Sequence, residues 1–249
     1  MTLLLNSLML LLYQIHWTNS IVIPHLYVHC ELTSVHHVLL SAPQHHYLTK
    51  VMRLKTGQIV HIFNGNQGLW RSELDGNHLI HLHNILPQPP SEQKIALFFS
   101  PIKAQNWLIE KCVEVGVTDF FPIVCQRTVV RHFCHTRHMK IVYEACEQSR
   151  RLNIPTIHPP VYLPKLIQNP PELFAHSLGV LTLNAPKPFV PPCPSGVFIG
   201  PEGGWSPEEV GLFAGAPHIK PVHLGSSVLR AETAAVVAST LMRYTPSAP

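Results

Sequence analysis

Val197-Phe198-Ile199-Gly200-Pro201-Glu202-Gly203-Gly204-Trp205-Ser206-Pro207-Glu208-Glu209-Val210 is the stretch whose reading decides the fold. An apolar run with strand composition enters a glycine-rich turn and leaves as a helix. Ser206 stands where an N-cap belongs, Pro207 at the first helical position and Glu209 three residues after the cap. That is a capping box with a preset φ. Gly200, Gly203 and Gly204 let the backbone bend sharply and approach something bound. The stretch lacks the GK[ST] of a P-loop and the GxGxxG of a dinucleotide fold. Taken alone, its spacing fits a plain tight strand–helix turn equally well.

A second stretch repeats the theme: Val222-His223-Leu224-Gly225-Ser226-Ser227-Val228-Leu229-Arg230-Ala231-Glu232-Thr233-Ala234-Ala235. A strand ends at Gly225, and an Ala-rich helix begins with Arg230 and Glu232 in its entry turn. Glu232 suits a helix N-terminus electrostatically and Arg230 does not, which makes a functional cation the better reading of Arg230.

Working outward, strands are expected at Ile95–Phe99, Phe120–Val124, Val180–Leu183, Gly196–Ile199 and Lys220–Leu224. Helices are expected at Ala104–Val115, Arg137–Arg150, Ser206–Ala214 and Ala231–Arg243, with Met139, Val142 and Cys146 on one stripe of the second. Strands alternating with helices predict an α/β domain with a mainly parallel sheet. Before Pro87-Gln88-Pro89-Pro90-Ser91, the natural linker, the pattern differs. Ile59–Phe63, Leu69–Leu74 and His78–Leu86 are short strands joined by Asn-Gly and Asp-Gly turns, which suggests a small barrel.

Of 249 residues, 46% are apolar and only 13% charged, half the usual ~25%. This excludes a solvating tail or coiled coil, and the net charge of +4 is a mild bias toward polyanions. The six cysteines contain no CxxC pair, so a reducing cytosol is expected. Met1–Tyr13 is apolar but too short to span a bilayer, and the first basic residue is Lys50, unlike a secretory signal. No other segment is expected to cross a membrane. The cluster Arg131–His138 offers three His and a Cys, but His is frequent throughout this chain, and no metal site is assigned to it.

IGPEGGWSPEE and LGSSVLRAETA together resemble the C-terminal signature of the RsmE family. These are SPOUT-class methyltransferases that methylate N3 of a uridine in 16S ribosomal RNA using S-adenosylmethionine. Further stretches resemble the family in order: His46–Gly57, Phe63-Asn64-Gly65, Lys111–Val117, and Glu144–Arg151 followed by Pro155. The likeness runs from about Ile23 to Arg243. Two departures stand out. Gln126 replaces an acidic residue beside Arg127, and Ser226-Ser227 replace a pair that often carries a positive charge.

The resemblance implies an α/β SPOUT domain over 93–245 with a C-terminal trefoil knot. A PUA-like RNA-binding β-barrel would precede it over 23–88, and 1–22 would be an extension upstream of the true start. It implies S-adenosylmethionine held by Leu183, Ile199, Gly200, Glu202, Gly203, Gly204, Leu224, Gly225 and Leu229. Arg230 and Arg127 would orient the base and offset charge developing on the uracil. Lys50, Arg53, Lys55 and Arg150 would contact RNA. A homodimer acting on 16S rRNA in the cytoplasm, without a metal, completes the expectation. Its rivals are a SPOUT enzyme acting on another RNA and a non-catalytic RNA-binding ribosome-assembly factor.

Overall fold

Leu26, Val60, Ile62, Leu74, Leu79 and Leu82 alternate with polar neighbours along the N-terminal strands, and burying them on one face builds the first sheet. The structure, a computed structural model, describes residues 23–34, 37–130, 132–171, 177–190 and 193–244. The expectation about 1–22 lies outside the described residues. Strands β1 (His25–Tyr27), β2 (Val38–Leu39), β3 (Ile59–Phe63), β4 (Leu69–Asp75) and β5 (His78–Leu86) form a five-stranded sheet in the order β1-β3-β4-β5-β2. Asn64 Oδ1 accepts from the amides of Asn66 and Gln67 at 3.1 and 3.0 Å, which shapes the β3–β4 turn. Between β2 and β3 the chain forms α1 (Ala42–His46), started by a capping box at Ser41 with Gln44, and then a π-helical turn, Tyr47–Val51. Neither β1, β2 nor α1 is expected from the sequence reading; each is too short to show periodicity.

The second part holds β6 (Ala96–Phe99), α2 (Gln105–Glu114), β7 (Asp119–Val124), α3 (His135–Ser149), β8 (Thr156–Ile157), β9 (Val161–Tyr162) and α4 (Leu163–Gln168). It continues with β10 (Leu178–Leu181), β11 (Gly196–Ile199), α5 (Pro207–Ala214), β12 (Ile219–Val222) and α6 (Ala231–Arg243). The strands pair in parallel in the order β12-β10-β11-β6-β7-β8, with β9 also pairing with β7. A parallel sheet is covered on both faces, and so β6 and β11 are buried at every position. Phe98 stacks against Phe121 and Phe198, with centroids 4.6 and 4.5 Å away, binding three adjacent strands on one face.

The expected strands at 180–183 and 220–224 are displaced: β10 and β12 run 178–181 and 219–222 and end together at the pair Leu181–Val222. Past that pair the two chains diverge. Leu183 and Leu224, apolar enough to read as strand, become loop walls instead, with Thr182 and His223 beside them.

The two parts share a core. Phe63 and Leu69 leave the first sheet to pack with Ile95 and Leu97 of the second. The Tyr27 and Tyr143 rings stack at 3.9 Å, and the Tyr27 amide donates to Glu147 Oε1 at 2.8 Å. Burial, acting against that hydrogen bond, pushes the Glu147 carboxyl up to about 7. A carboxyl raised in the folded state favours folding when protonated, so that stability is lost as pH rises through about 7. Relative to Glu147→Gln, the protein is expected to lose melting temperature between pH 5 and pH 8. Glu147→Gln should flatten this dependence, recovering on the order of 2 kcal/mol at pH 8. Parallel melting profiles for both proteins would refute this.

Candidate active site

β10, β11 and β12 run in parallel, so their C-terminal ends lie on one edge of the sheet, where ligands bind in open α/β folds. The loops that leave them surround a cavity of about 1210 Å3. Leu183, Ile199, Gly200, Glu202, Gly204, Leu224, Gly225, Leu229 and Arg230 all line it. Ile199 is buried beneath the cavity and Leu183 is 67% exposed. The two stretches that frame the sequence reading therefore meet in space.

The first loop is held from several directions. The Gly204 amide donates to Pro201 O at 2.8 Å, and Gly204 itself has φ +69, a conformation that favours glycine. Trp205 Nε1 donates to Leu181 O at 3.0 Å, which lays the indole over Gly200; a Cβ on Gly200 would stand 3.0 Å from that ring. Ser206 and Glu209 form the expected capping box. Glu209 Oε2 accepts from the Ser206 amide at 2.8 Å, and its Oε1 accepts from the Gln126 amide at 2.7 Å. One buried carboxylate thus caps α5 and ties it to the loop after β7.

Arg127 and Gly203 sit differently from the sequence expectation. Neither lines the cavity. Arg127 Nη1 donates to Gly203 O at 2.8 Å and to Trp205 O at 3.3 Å, and a Cβ on Gly203 would lie 3.4 Å from the Arg127 side chain. Arg127 fastens the glycine loop from behind. Its guanidinium is engaged with backbone carbonyls, and Gly203 leaves room for the arginine stem.

Arg230 is the N-cap of α6, with φ −65 and ψ 153. It is exposed at the cavity and makes no side-chain hydrogen bond or ion pair among the described residues. Of the polar residues lining the cavity that the sequence reading does not single out, Lys103 and His223 stand at strand ends. Lys103, exposed, follows the C-terminal end of β6 on the same sheet edge as the loops. His223 accepts a hydrogen bond from the Gly225 amide on Nδ1 at 3.0 Å, which leaves Nε2 as the N–H donor of a neutral ring. The signal for both was their position just past an apolar strand, but that signal needs the strand order to carry meaning.

Lys50, Arg53, Lys55 and Arg150 lie outside the cavity. Lys50 sits in the π turn, Arg53 and Lys55 on the loop into β3, and Arg150 at the left-handed C-cap of α3; all four are exposed. No group of three or more metal-ligating side chains exists among the described residues. Within the histidine-rich stretch, His135 Nε2 contacts Ile157 O at 3.2 Å, and buried His138 stacks on Phe133 at 4.1 Å. Burial pushes the Cys112, Cys125 and Cys146 thiols up to about 12. No helix among the described residues is long and apolar enough to cross a membrane.

Comparison with known proteins agrees with this geometry. Residues 89–243 match the RNA methyltransferase domain family, and residues 40–80 match the RNA methyltransferase PUA domain. Ribosomal RNA small subunit methyltransferase E of Synechocystis is 34% identical over 81% of this chain and 71% of its own length. The enzyme of the same name from Rickettsia conorii is 30% identical over 86% and 88%. The crystal structure of ribosomal RNA small subunit methyltransferase E from Neisseria gonorrhoeae bound to S-adenosyl methionine superposes with a TM-score of 0.73. It is 26% identical and covers 88% of this chain and 96% of that one.

Proposed function

Because this chain belongs to the ribosomal RNA small subunit methyltransferase E family, we propose that it methylates N3 of a uridine in 16S ribosomal RNA. It is an RNA methyltransferase that uses S-adenosylmethionine. The observation that carries the reading is the convergence of two glycine loops on one cavity. Gly204 and Gly225 both line it, both have positive φ, and a Cβ on either would meet no protein atom within 4 Å. Bare backbone therefore faces open space, which suits a ligand read by main-chain groups. Ile199, Leu224 and Leu229 offer apolar walls for an adenosine, and Glu202 a polar group at the loop.

Bound there, S-adenosylmethionine supplies an electrophilic methyl group on its sulfonium. The protein must present uridine N3, which lies on the Watson–Crick edge, so the base is unpaired or flipped out before it enters. N3–H is weakly acidic, and its loss leaves negative charge on O2 and O4. Arg230, which lines the cavity and has no side-chain partner among the described residues, offsets that charge with a planar fork of donors. His223 Nε2–H is a second donor available at the cavity wall. Arg127 contributes by holding the 203–205 backbone.

The same reading includes a C-terminal trefoil knot, closure of the first sheet into a PUA-like barrel, a homodimer and cytoplasmic work on the small subunit. Residues 1–22 would be dispensable. It is tested by mass spectrometry of 16S RNA from cells lacking the gene: N3-methyluridine should be absent and restored by the gene. Its persistence would refute the assignment, and loss of a different modified base would favour another RNA target.

The cofactor loop gives a sharper test. A valine at Gly200 would drive its branches into the Trp205 indole, which cannot retreat without breaking its bond to Leu181 O. Gly200→Val should weaken S-adenosylmethionine binding at least tenfold, about 1.4 kcal/mol. Calorimetric titration showing full affinity in a folded variant would reject the loop as the cofactor cradle.

A further inference from the structure

A uridine is methylated at N3 only if its N3 proton leaves, and a group placed to receive that proton speeds the step. Among the described residues lining the cavity, three side chains can accept a proton: Glu202, His223 and Glu232. His223 is excluded by its hydrogen bond. Its Nδ1 accepts from the Gly225 amide at 3.0 Å. Its main chain is pinned as well, the amide donating to Lys187 O at 3.0 Å and the carbonyl accepting from the Phe189 amide at 2.8 Å. The ring can offer an N–H on Nε2, but no lone pair is left for a second proton. Glu202 is exposed on the glycine loop. Glu232 is half-buried in the first turn of α6. Like Arg230 two residues before it, it makes no side-chain hydrogen bond or ion pair among the described residues.

Arg230 and Glu232 carry opposite charges yet do not pair. Side chains two apart at a helix entry do not face each other, and Arg230, the N-cap, has an extended backbone with φ −65 and ψ 153. A donor fork and an acceptor therefore border the cavity together without neutralising each other. The imide edge of uracil, an N–H between two carbonyl oxygens, is complementary to such a set. The carboxylate accepts from N3–H, while Arg230 and the Nε2–H of His223 donate to the oxygens. Cytosine has a lone pair at N3 and an amino group beside it, and would set like against like.

We propose that Glu232 is the catalytic base of the reaction and the residue that selects uracil. The proposal rests on the uridine-N3 methyltransferase reading and supplies the proton acceptor that the reading needs. A carboxylate oxygen of Glu232 takes the proton from N3 as the N3 electron pair forms a bond to the methyl carbon. The carbon–sulfur bond breaks, and its electron pair leaves on S-adenosylhomocysteine. The carboxyl returns its proton to water once the product has left. The charged and titratable groups that share the cavity with Glu232 are Lys103, Glu202, Lys220, His223 and Arg230.

The experiment follows single-turnover methylation of isolated small ribosomal subunits by the full chain, with saturating S-adenosylmethionine, from about pH 7 to about pH 9. The wild-type rate should change less than about threefold across that range, because the carboxylate does the work of hydroxide. Glu232→Gln should be ~10²-fold slower or more at the low end and climb roughly tenfold per pH unit, because hydroxide must then remove the proton. Glu232→Ala, in a helix already rich in alanine, should show the same climb and serves if the glutamine variant fails to fold. Glu232→Asp should be slow but flat. Cofactor affinity, measured by calorimetric titration, should stay within a few-fold of wild type in each. A loss of rate equal at every pH would overturn the proposal, as would a rate within about tenfold of wild type near pH 7. So would a loss of cofactor affinity that accounts for the loss of rate, which would make Glu232 a cofactor ligand. A wild-type rate that itself climbs with hydroxide would also overturn it, since no protein group would then take the proton. Failure of the functional reading would look different: the wild-type protein would place no methyl group on N3 of any uridine.

Discussion

Arg230→Ala is expected to slow methyl transfer by ~10²-fold or more, the scale of removing one preorganised donor from a developing anion. Cofactor affinity should stay within a few-fold and the melting temperature nearly unchanged. The argument is electrostatic and geometric. Arg230 is the N-cap of α6, where a cation opposes the helix dipole, and its side chain neither caps the helix nor pairs with an acid among the described residues. A side chain that contributes little to folding, yet stands at the cavity, is best explained by what enters the cavity. Arg230→Lys should rescue only partly, because a point charge cannot reproduce the fork. A single-turnover assay on isolated small subunits with saturating S-adenosylmethionine tests this. A rate above about a tenth of wild type would move the role to another donor lining the cavity, such as Lys103 or His223.

Glu209→Ala should have the largest effect on the integrity of the site. Glu209 is 2% exposed and accepts from two backbone amides on two loops, those of Ser206 and Gln126. Its removal strands both donors and ends the reciprocal cap of α5. At about 1–3 kcal/mol for each unsatisfied buried donor, a loss of about 3 kcal/mol is expected by denaturant unfolding. The glycine loop, no longer fixed at its helical end, should bind S-adenosylmethionine at least tenfold more weakly. Glu209→Gln keeps one carbonyl acceptor and should recover part of both losses. Unchanged unfolding midpoints for Glu209→Ala would show that the loops are held by other contacts.

These two residues also show why parts of the site were readable in advance. The capping box at Ser206 and Glu209 is a local signal, because its hydrogen bonds join residues three apart, and the linear pattern contains all of it. The second hydrogen bond of Glu209, to Gln126, spans 83 residues and has no linear trace. Arg127 illustrates the same limit. As a lone cation in a loop it reads as a ligand contact, and only its placement behind Gly203, 76 residues on, turns it into a backbone fastener. The strands end at 181 and 222, short of the expected 183 and 224, because Leu183 and Leu224 are apolar for the sake of the cavity, while periodicity attributes apolar residues to a strand.

Sequence by itself determined the α/β alternation after residue 95, the glycine turns, the helix caps and, through resemblance, the family. Each of those is written in spacings of two to four residues or in whole motifs. Tertiary structure alone decided which loops share the cavity, that Lys103 and His223 join it, and that His25, His61 and Arg71 align across three strands. The physical reason is register and strand order. Residues 36 and 10 positions apart become neighbours only through hydrogen bonding between particular strands, and a slip of one residue would turn every such side chain to the other face.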